Sequence, residues 1–132
     1  MASSNYPIPI ECCFLISVSE FWEHNNSYEK TVKHYVVAEL NISEDSWVPS
    51  YLEEVTRMVE QHGGRYLART PKIEKVEEER KAPQIFIIIE FPTKESAITF
   101  YSSAEYQPYL QARKRGALTE MVLVAGEDLA TT

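Results

Sequence analysis

The segment from His34 to Gly126 predicts an α+β domain in the order strand, helix, strand, strand, helix, strand. Three observations carry this. Gln84 to Phe91 is a strand with Ile85, Ile87 and Ile89 on one face and Phe86, Ile88 and Glu90 on the other, so both faces are to be covered. Val48, Tyr51, Leu52, Val55, Met58, Val59 and His62 recur at helical spacing and stop at Gly63-Gly64. Two further strand segments, Tyr35 to Asn41 and Leu118 to Ala125, close the two ends.

In chain order, the first strand shows Tyr35, Val37 and Glu39 on one face and Val36, Ala38 and Leu40 on the other. The first helix spans about Pro49 to His62, with Pro49 at an early helical position. The second strand runs from Arg65 to Thr70, with Arg65, Leu67 and Arg69 sharing a face. Pro71 to Pro83 carries Lys72, Glu74, Lys75, Glu77, Glu78 and Glu79 and reads as an exposed hairpin or extended strand pair. After the third strand, Pro92 ends the run and Thr93 caps a helix over Lys94 to Ser102, with Ala97, Phe100 and Tyr101 on one side. A second helical piece starts near Pro108, carries Leu110 and Arg113, and closes at Gly116.

Ser102 followed by Glu105 fits a capping box, although Pro108 disfavours a helix interior there. The alternative is a helix that starts at Pro108 and leaves Tyr106 in a turn.

The 132 residues suit one domain of 34–132 preceded by an extension of 1–33. In that extension Cys12 to Val18 alternates like a short strand, and Phe21 and Trp22 are expected to pack over the core. The extension has neither a basic leader nor an apolar span, so a reducing, cytoplasmic compartment without membrane contact is expected. Cys12 and Cys13 are adjacent, and no second pair exists for a disulfide framework or a metal site. A net charge of -7 argues against a nucleic-acid partner. A local arginine can still oppose that charge for a small anion. No HxH or HExxH spacing points to a metal.

Two helical layers in this order cover one face of a four-stranded sheet. The apolar residues on the other face, Tyr35, Phe86 and Ile88 among them, therefore predict sheet-to-sheet packing in a homodimer. That face either encloses an apolar cavity or is a filled dimer core.

Gly63-Gly64-Arg65-Tyr66-Leu67-Ala68-Arg69, Glu90-Phe91-Pro92, Ala97, Tyr101 to Gln107 and Arg113 together resemble the DUF1330 family. The resemblance covers roughly Tyr35 to Gly126. It implies a ferredoxin-like βαββαβ subunit that forms a dimeric α/β barrel. Superfamily relatives include monooxygenases without cofactor, lactone isomerases, dehydratase-like enzymes and stress proteins. Gly64, Arg69, Phe91, Ser102, Tyr106 and Arg113 match positions that the family pattern emphasises. Lys75-Val76-Glu77-Glu78-Glu79 replaces a common Glu-Gly pair, and the extension of 1–33 is also a departure.

Arg113 follows Tyr106 by seven residues and Leu110 by three, which puts a guanidinium on an apolar helix side. It is suited to holding a carboxylate, an enolate oxygen or a carbonyl; a salt bridge to Glu90, Glu105 or a partner chain is the structural alternative. Glu39 and Glu90 stand in apolar strands and are expected at opposite ends of the sheet. Enclosure would raise their pKa and suit them to move a proton, whereas pairing with Arg65, Arg69 or Arg113 would lower it. Tyr106 and Ser102 are candidates to orient a substrate, and Arg69, Tyr35, Phe86 and Ile88 to line its pocket.

The expected function is a cofactor-independent enzyme acting on a small apolar or aromatic carbonyl metabolite. The chemistry would be proton transfer, leading to isomerisation, cyclisation, dehydration or decarboxylation, with Arg113, Glu90, Glu39 and Tyr106 as the reacting groups. A non-catalytic binding or stress-associated dimer is the alternative.

Overall fold

A computed structural model describes residues 32–77 and 79–130. The readings made for residues 1–31 lie outside the described residues. Seven elements follow one another: β1 (His34–Ile42), α1 (Val48–Gln61), β2 (Arg65–Thr70), β3 (Ile85–Phe91), α2 (Lys94–Ser102), α3 (Gln107–Gly116) and β4 (Ala117–Ala125). The four strands form one antiparallel sheet in the order β2-β3-β1-β4. This is the α+β arrangement that the alternation of elements predicts, in the ferredoxin-like form that the family resemblance implies.

Strand alternation sorts the sheet into two faces. Ala38 and Leu40 of β1 and Ile89 and Phe91 of β3 are buried beneath the helices. They join Val55, Met58 and Val59 of α1, Ala97 and Phe100 of α2, and Tyr106 and Leu110 at α3. Aromatic rings tie these layers together: Phe100 lies 5.9 Å from Phe91 and 4.5 Å from Tyr106, centroid to centroid. Leu52 departs from the expected apolar stripe of α1. It is 46% exposed, because the buried arc is narrowed to Val55, Met58 and Val59.

The glycine pair after α1 closes the helix in a Schellman arrangement. The Gly63 amide donates to Glu60 O at 3.0 Å and the Gly64 amide to Val59 O at 2.8 Å. Gly63 takes φ +82°, which side chains other than glycine's rarely allow. Gly64 is needed for another reason. A Cβ there would stand 2.7 Å from a Val59 methyl and 2.8 Å from the Phe91 ring. The pair thus lets the chain turn directly from α1 into β2 beneath the core.

Three local expectations are corrected. Residues 71–84 contain neither hairpin nor strand pair among the described positions. That segment returns along β1 instead, where Gln84 N donates to Leu40 O and Gln84 Oε1 accepts from Ile42 N. The proposed Ser102–Glu105 capping box does not form. Ser102 belongs to the last turn of α2, and its hydroxyl donates to Ile98 O at 2.7 Å. The capping box of this region is Thr93–Ser96, at the start of α2. Finally, Arg65 and Arg69 do not share a face. The register slips between Tyr66 and Ala68, so a bulge at Leu67 turns Arg69 towards the helices while Arg65 stays opposite Glu90.

Candidate functional site: a buried guanidinium held by two phenols

Tyr106 and Arg113 reach the core from opposite ends of α3. Their seven-residue separation is two helical turns, so both side chains point down the same side, with Leu110 between them. Tyr106 is 1% exposed and Arg113 3%. Tyr51 joins them from α1. Arg113 Nε donates to Tyr51 Oη at 3.2 Å, and Arg113 Nη2 donates to Tyr106 Oη at 3.3 Å. The two phenol oxygens are 2.7 Å apart and joined by a hydrogen bond that either hydroxyl can donate.

This cluster has no negative member. Among the described residues Arg113 makes no ion pair. The salt bridges expected for it go elsewhere: Glu90 pairs with Arg65 and Lys33, and Glu105 with Arg57. Burial alone would depress the arginine, but its coupling to Tyr51 and Tyr106 outweighs that and holds it above its ordinary value, so it remains a cation. Burial pushes the Tyr51 hydroxyl up, reinforced by Tyr106 and opposed by Arg113, so that phenol stays neutral.

The hydrogen-bond inventory is lopsided. One phenol donates a hydrogen bond to the other, and the recipient's own O–H has no further acceptor among the described residues. Nη1 of Arg113 has no partner among them either. The unused N–H and O–H groups of the cluster have an acceptor as their chemical complement: a carbonyl oxygen or an oxyanion.

The cluster forms one wall of a largely enclosed cavity of about 50 Å³ between the sheet and the helices, otherwise lined by apolar groups such as Val36, Ala38, Ile87 and Phe100. Two open clefts adjoin it along the edge strand β4. One, of about 290 Å³, runs between Ile98, Tyr101 and Ser102 of α2 and Val122 and Leu123 of β4. The other, of about 370 Å³, runs between Arg113 and Lys114 of α3 and Leu118 and Thr119 of β4. Together they have the size of a small-metabolite site, which the enclosed cavity alone does not.

The remaining sequence candidates divide between the two faces. Ser102 lines the first cleft, as its place on α2 allows. Arg69 lies on the helix side, with its guanidinium 3.7 Å over the Tyr66 ring and Nη1 donating to Thr56 Oγ1 at 2.9 Å. Tyr35, Phe86, Ile88, Glu39 and Glu90 are all on the other face of the sheet, away from Arg113. The sheet therefore separates the two carboxylates from the guanidinium within one protomer.

On that face the carboxylates are tied into ion pairs. Glu90 takes Arg65 at 3.2 Å, Lys33 at 3.5 Å and the Tyr35 hydroxyl at 3.3 Å. Glu39 takes a two-pronged contact from Arg80, at 2.9 and 2.7 Å. Glu39 stands opposite Glu120 in the neighbouring strand, and Arg80 offsets that repulsion. The Arg80 hydrogen bonds hold Glu39 below its ordinary value. Partial burial would raise Glu90, but Lys33, Arg65 and Tyr35 prevail and lower it. Both are carboxylates at neutral pH. Glu39 lies opposite Phe86 and Glu90 opposite Tyr35, which separates them along β1 by roughly 13 Å.

Tyr51 was not singled out as a site residue from the sequence. Its signal was present but ambiguous: it belongs to the apolar stripe of α1, where a phenol reads as core. No group of three or more His, Cys, Asp or Glu side chains converges among the described residues. Nor is any described helix long and apolar enough to cross a membrane.

Comparison with known proteins supports the fold and leaves the chemistry to the site. No curated protein matches the chain. RPA0582, a protein of unknown function from Rhodopseudomonas palustris, is similar in structure with a TM-score of 0.63 at 9% identity, over 86% of this chain and 96% of that one. SnoaB, a cofactor-independent oxygenase from Streptomyces nogalater, is similar with a TM-score of 0.52 at 11% identity, over 76% of this chain and 99% of that one. At such identities the likeness is one of fold. In sequence, residues 33–127 match the family described as a domain of unknown function, DUF1330, and the chain belongs to that family.

Proposed function

We propose that this protein is a cofactor-independent enzyme acting on a small apolar or aromatic carbonyl compound, and that Arg113, Tyr51 and Tyr106 stabilise the oxyanion formed when the substrate loses a proton beside its carbonyl. The observation that carries this reading is the buried Arg113 cation, whose hydrogen-bond partners among the described residues are the Tyr51 and Tyr106 hydroxyls, with surplus donors on a cavity wall. A preorganised donor set in apolar surroundings acts most strongly on charge that develops during reaction. Every 1.4 kcal/mol or so by which it favours the enolate over the ketone lowers the carbon acid's pKa by about one unit. The similar fold of SnoaB, a cofactor-independent oxygenase, supports the cofactor-independent part of this reading.

The substrate class narrows further. Among the described residues, no carboxylate or imidazole lines the three cavities. With Tyr51 held neutral, water is the proton acceptor in this reading. That favours carbonyl compounds whose proton is already acidic, such as 1,3-dicarbonyls and hydroxylated aromatic ketones. Glu39 and Glu90 then serve the open face, which we assign to a second copy of the chain. Val122, 58% exposed, and Leu118, 70% exposed, share that face with Tyr35, Phe86 and Ile88.

The test is deuterium exchange at the central carbon of benzoylacetone, followed by NMR in D₂O. The protein is expected to accelerate exchange, and Arg113→Met to abolish the acceleration. The absence of any nearby base favours a second reading, in which the site binds such a compound without turnover. Saturable binding of benzoylacetone with no acceleration of exchange would establish that reading instead.

A further inference from the structure

Among the described residues, the three cavities have two lining residues in common, Tyr101 and Met121. Arg113 borders the enclosed cavity and the polar cleft, while Val36 and Ala97 border the enclosed cavity and the apolar cleft. Only at Tyr101 and Met121 do all three meet. We propose that these two side chains form a gate that sets the size of the ligand reaching Arg113, an inference that rests on the oxyanion-site reading above.

Both residues are built for this. Tyr101 is on the last turn of α2 and is 40% exposed, although its ring leans against Tyr106 with centroids 5.8 Å apart. No hydrogen bond fixes its hydroxyl among the described residues, so the ring swings at little cost. Met121 comes from β4, the edge strand, and lines the same three cavities as Tyr101. An unbranched thioether repacks more readily than a branched side chain. With the gate closed, the enclosed cavity of about 50 Å³ admits little more than a ligand's oxygen and its nearest atoms.

The two clefts beyond the gate differ in character. Lys114 and Thr119 border the one next to Arg113, and the Thr119 hydroxyl is buried there without a partner. Ile98, Val122 and Leu123 border the other. The ligand that fits this arrangement is amphipathic. Its oxygen anion sits at Arg113, and its ring system lies across Tyr101 and Met121 into the apolar cleft.

Benzoate and 1-naphthoate serve as one-ring and two-ring anions, and calorimetric titration gives the ratio of their affinities. The wild-type protein is expected to prefer benzoate. Tyr101→Ala, at a position exposed enough to tolerate the change, is expected to shift the ratio at least tenfold towards 1-naphthoate, and Met121→Ala to shift it in the same direction. Tyr101→Phe keeps the ring and is expected to keep the wild-type ratio. Binding of 1-naphthoate by Tyr101→Ala alone would also support a closed gate. An unchanged ratio in both alanine variants, with both anions still lost in Arg113→Met, would overturn the gate and leave the oxyanion site standing. Binding of neither anion by any form, or binding unaffected by Arg113→Met, would overturn the site and the gate with it.

Discussion

The hydroxyls of Tyr51 and Tyr106 stand 2.7 Å apart, and each accepts a hydrogen bond from the guanidinium of Arg113. The two phenols hold a cation that no carboxylate reaches among the described residues. Apolar surroundings make such a charge costly, and a ligand's oxygen would offset the cost.

Removing either hydroxyl separates its two roles. Tyr106→Phe leaves an arginine N–H buried without its acceptor and is expected to lower stability by about 1–3 kcal/mol. Tyr51→Phe is expected to act in the same direction, because it removes the acceptor for Nε. Both are expected to weaken benzoate binding less than Arg113→Met does, since the charge remains. Urea unfolding and calorimetry on the same samples check this.

Acid is expected to destabilise the protein through Glu39 and Glu90. Each has a folded-state pKa below its ordinary 4.5, so its contribution is complete above that value and is lost as pH falls through the folded pKa. Stability measured by urea unfolding is expected to decline as pH drops below about 4.5. Glu39→Gln removes one titrating group and is expected to flatten that decline without shifting its onset upward.

The open sheet face predicts a homodimer. Ile88 stands opposite Val37 in the centre of that face, beside exposed Val122. Native mass spectrometry is expected to show a dimer for the wild type and a monomer for Ile88→Asp. A monomeric wild type would contradict the assignment of this face.

Gly64→Ala is expected to cost about 1–3 kcal/mol by overpacking Val59 and Phe91, and to lower the melting temperature by several degrees. Because Phe91 stacks on Phe100, the strain is expected to reach the aromatic cluster beneath the site. Near-ultraviolet circular dichroism reads that change directly.

Much of this fold is written in local patterns. The doubly apolar β3, the stripe and glycine stop of α1, and the Thr93 cap each depend on residues close in sequence. The inward direction of Arg113 is equally local, because Leu110 and Tyr106 precede it on one helix side. What it meets there is not. Tyr51 lies 62 residues away, and a tyrosine in an apolar stripe looks like any other core residue. The bulge at Leu67 was also hidden. Strict alternation puts Arg65, Leu67 and Arg69 together, and one slipped register separates them. Glu39 and Glu90 resemble buried acids because their neighbours in sequence are apolar. Their partners, Arg80, Arg65 and Lys33, come from other segments, and they turn both into ordinary paired carboxylates.

The account turns on Arg113 being kept for a ligand rather than for the fold. The decisive measurement is urea unfolding of Arg113→Met beside benzoate titration of the same protein. The phenols can still bond each other, so stability is expected to be unchanged or to rise, by up to about 1–4 kcal/mol, while benzoate binding disappears. A loss of more than about 2 kcal/mol with benzoate binding intact would make the arginine a structural strut and contradict the site.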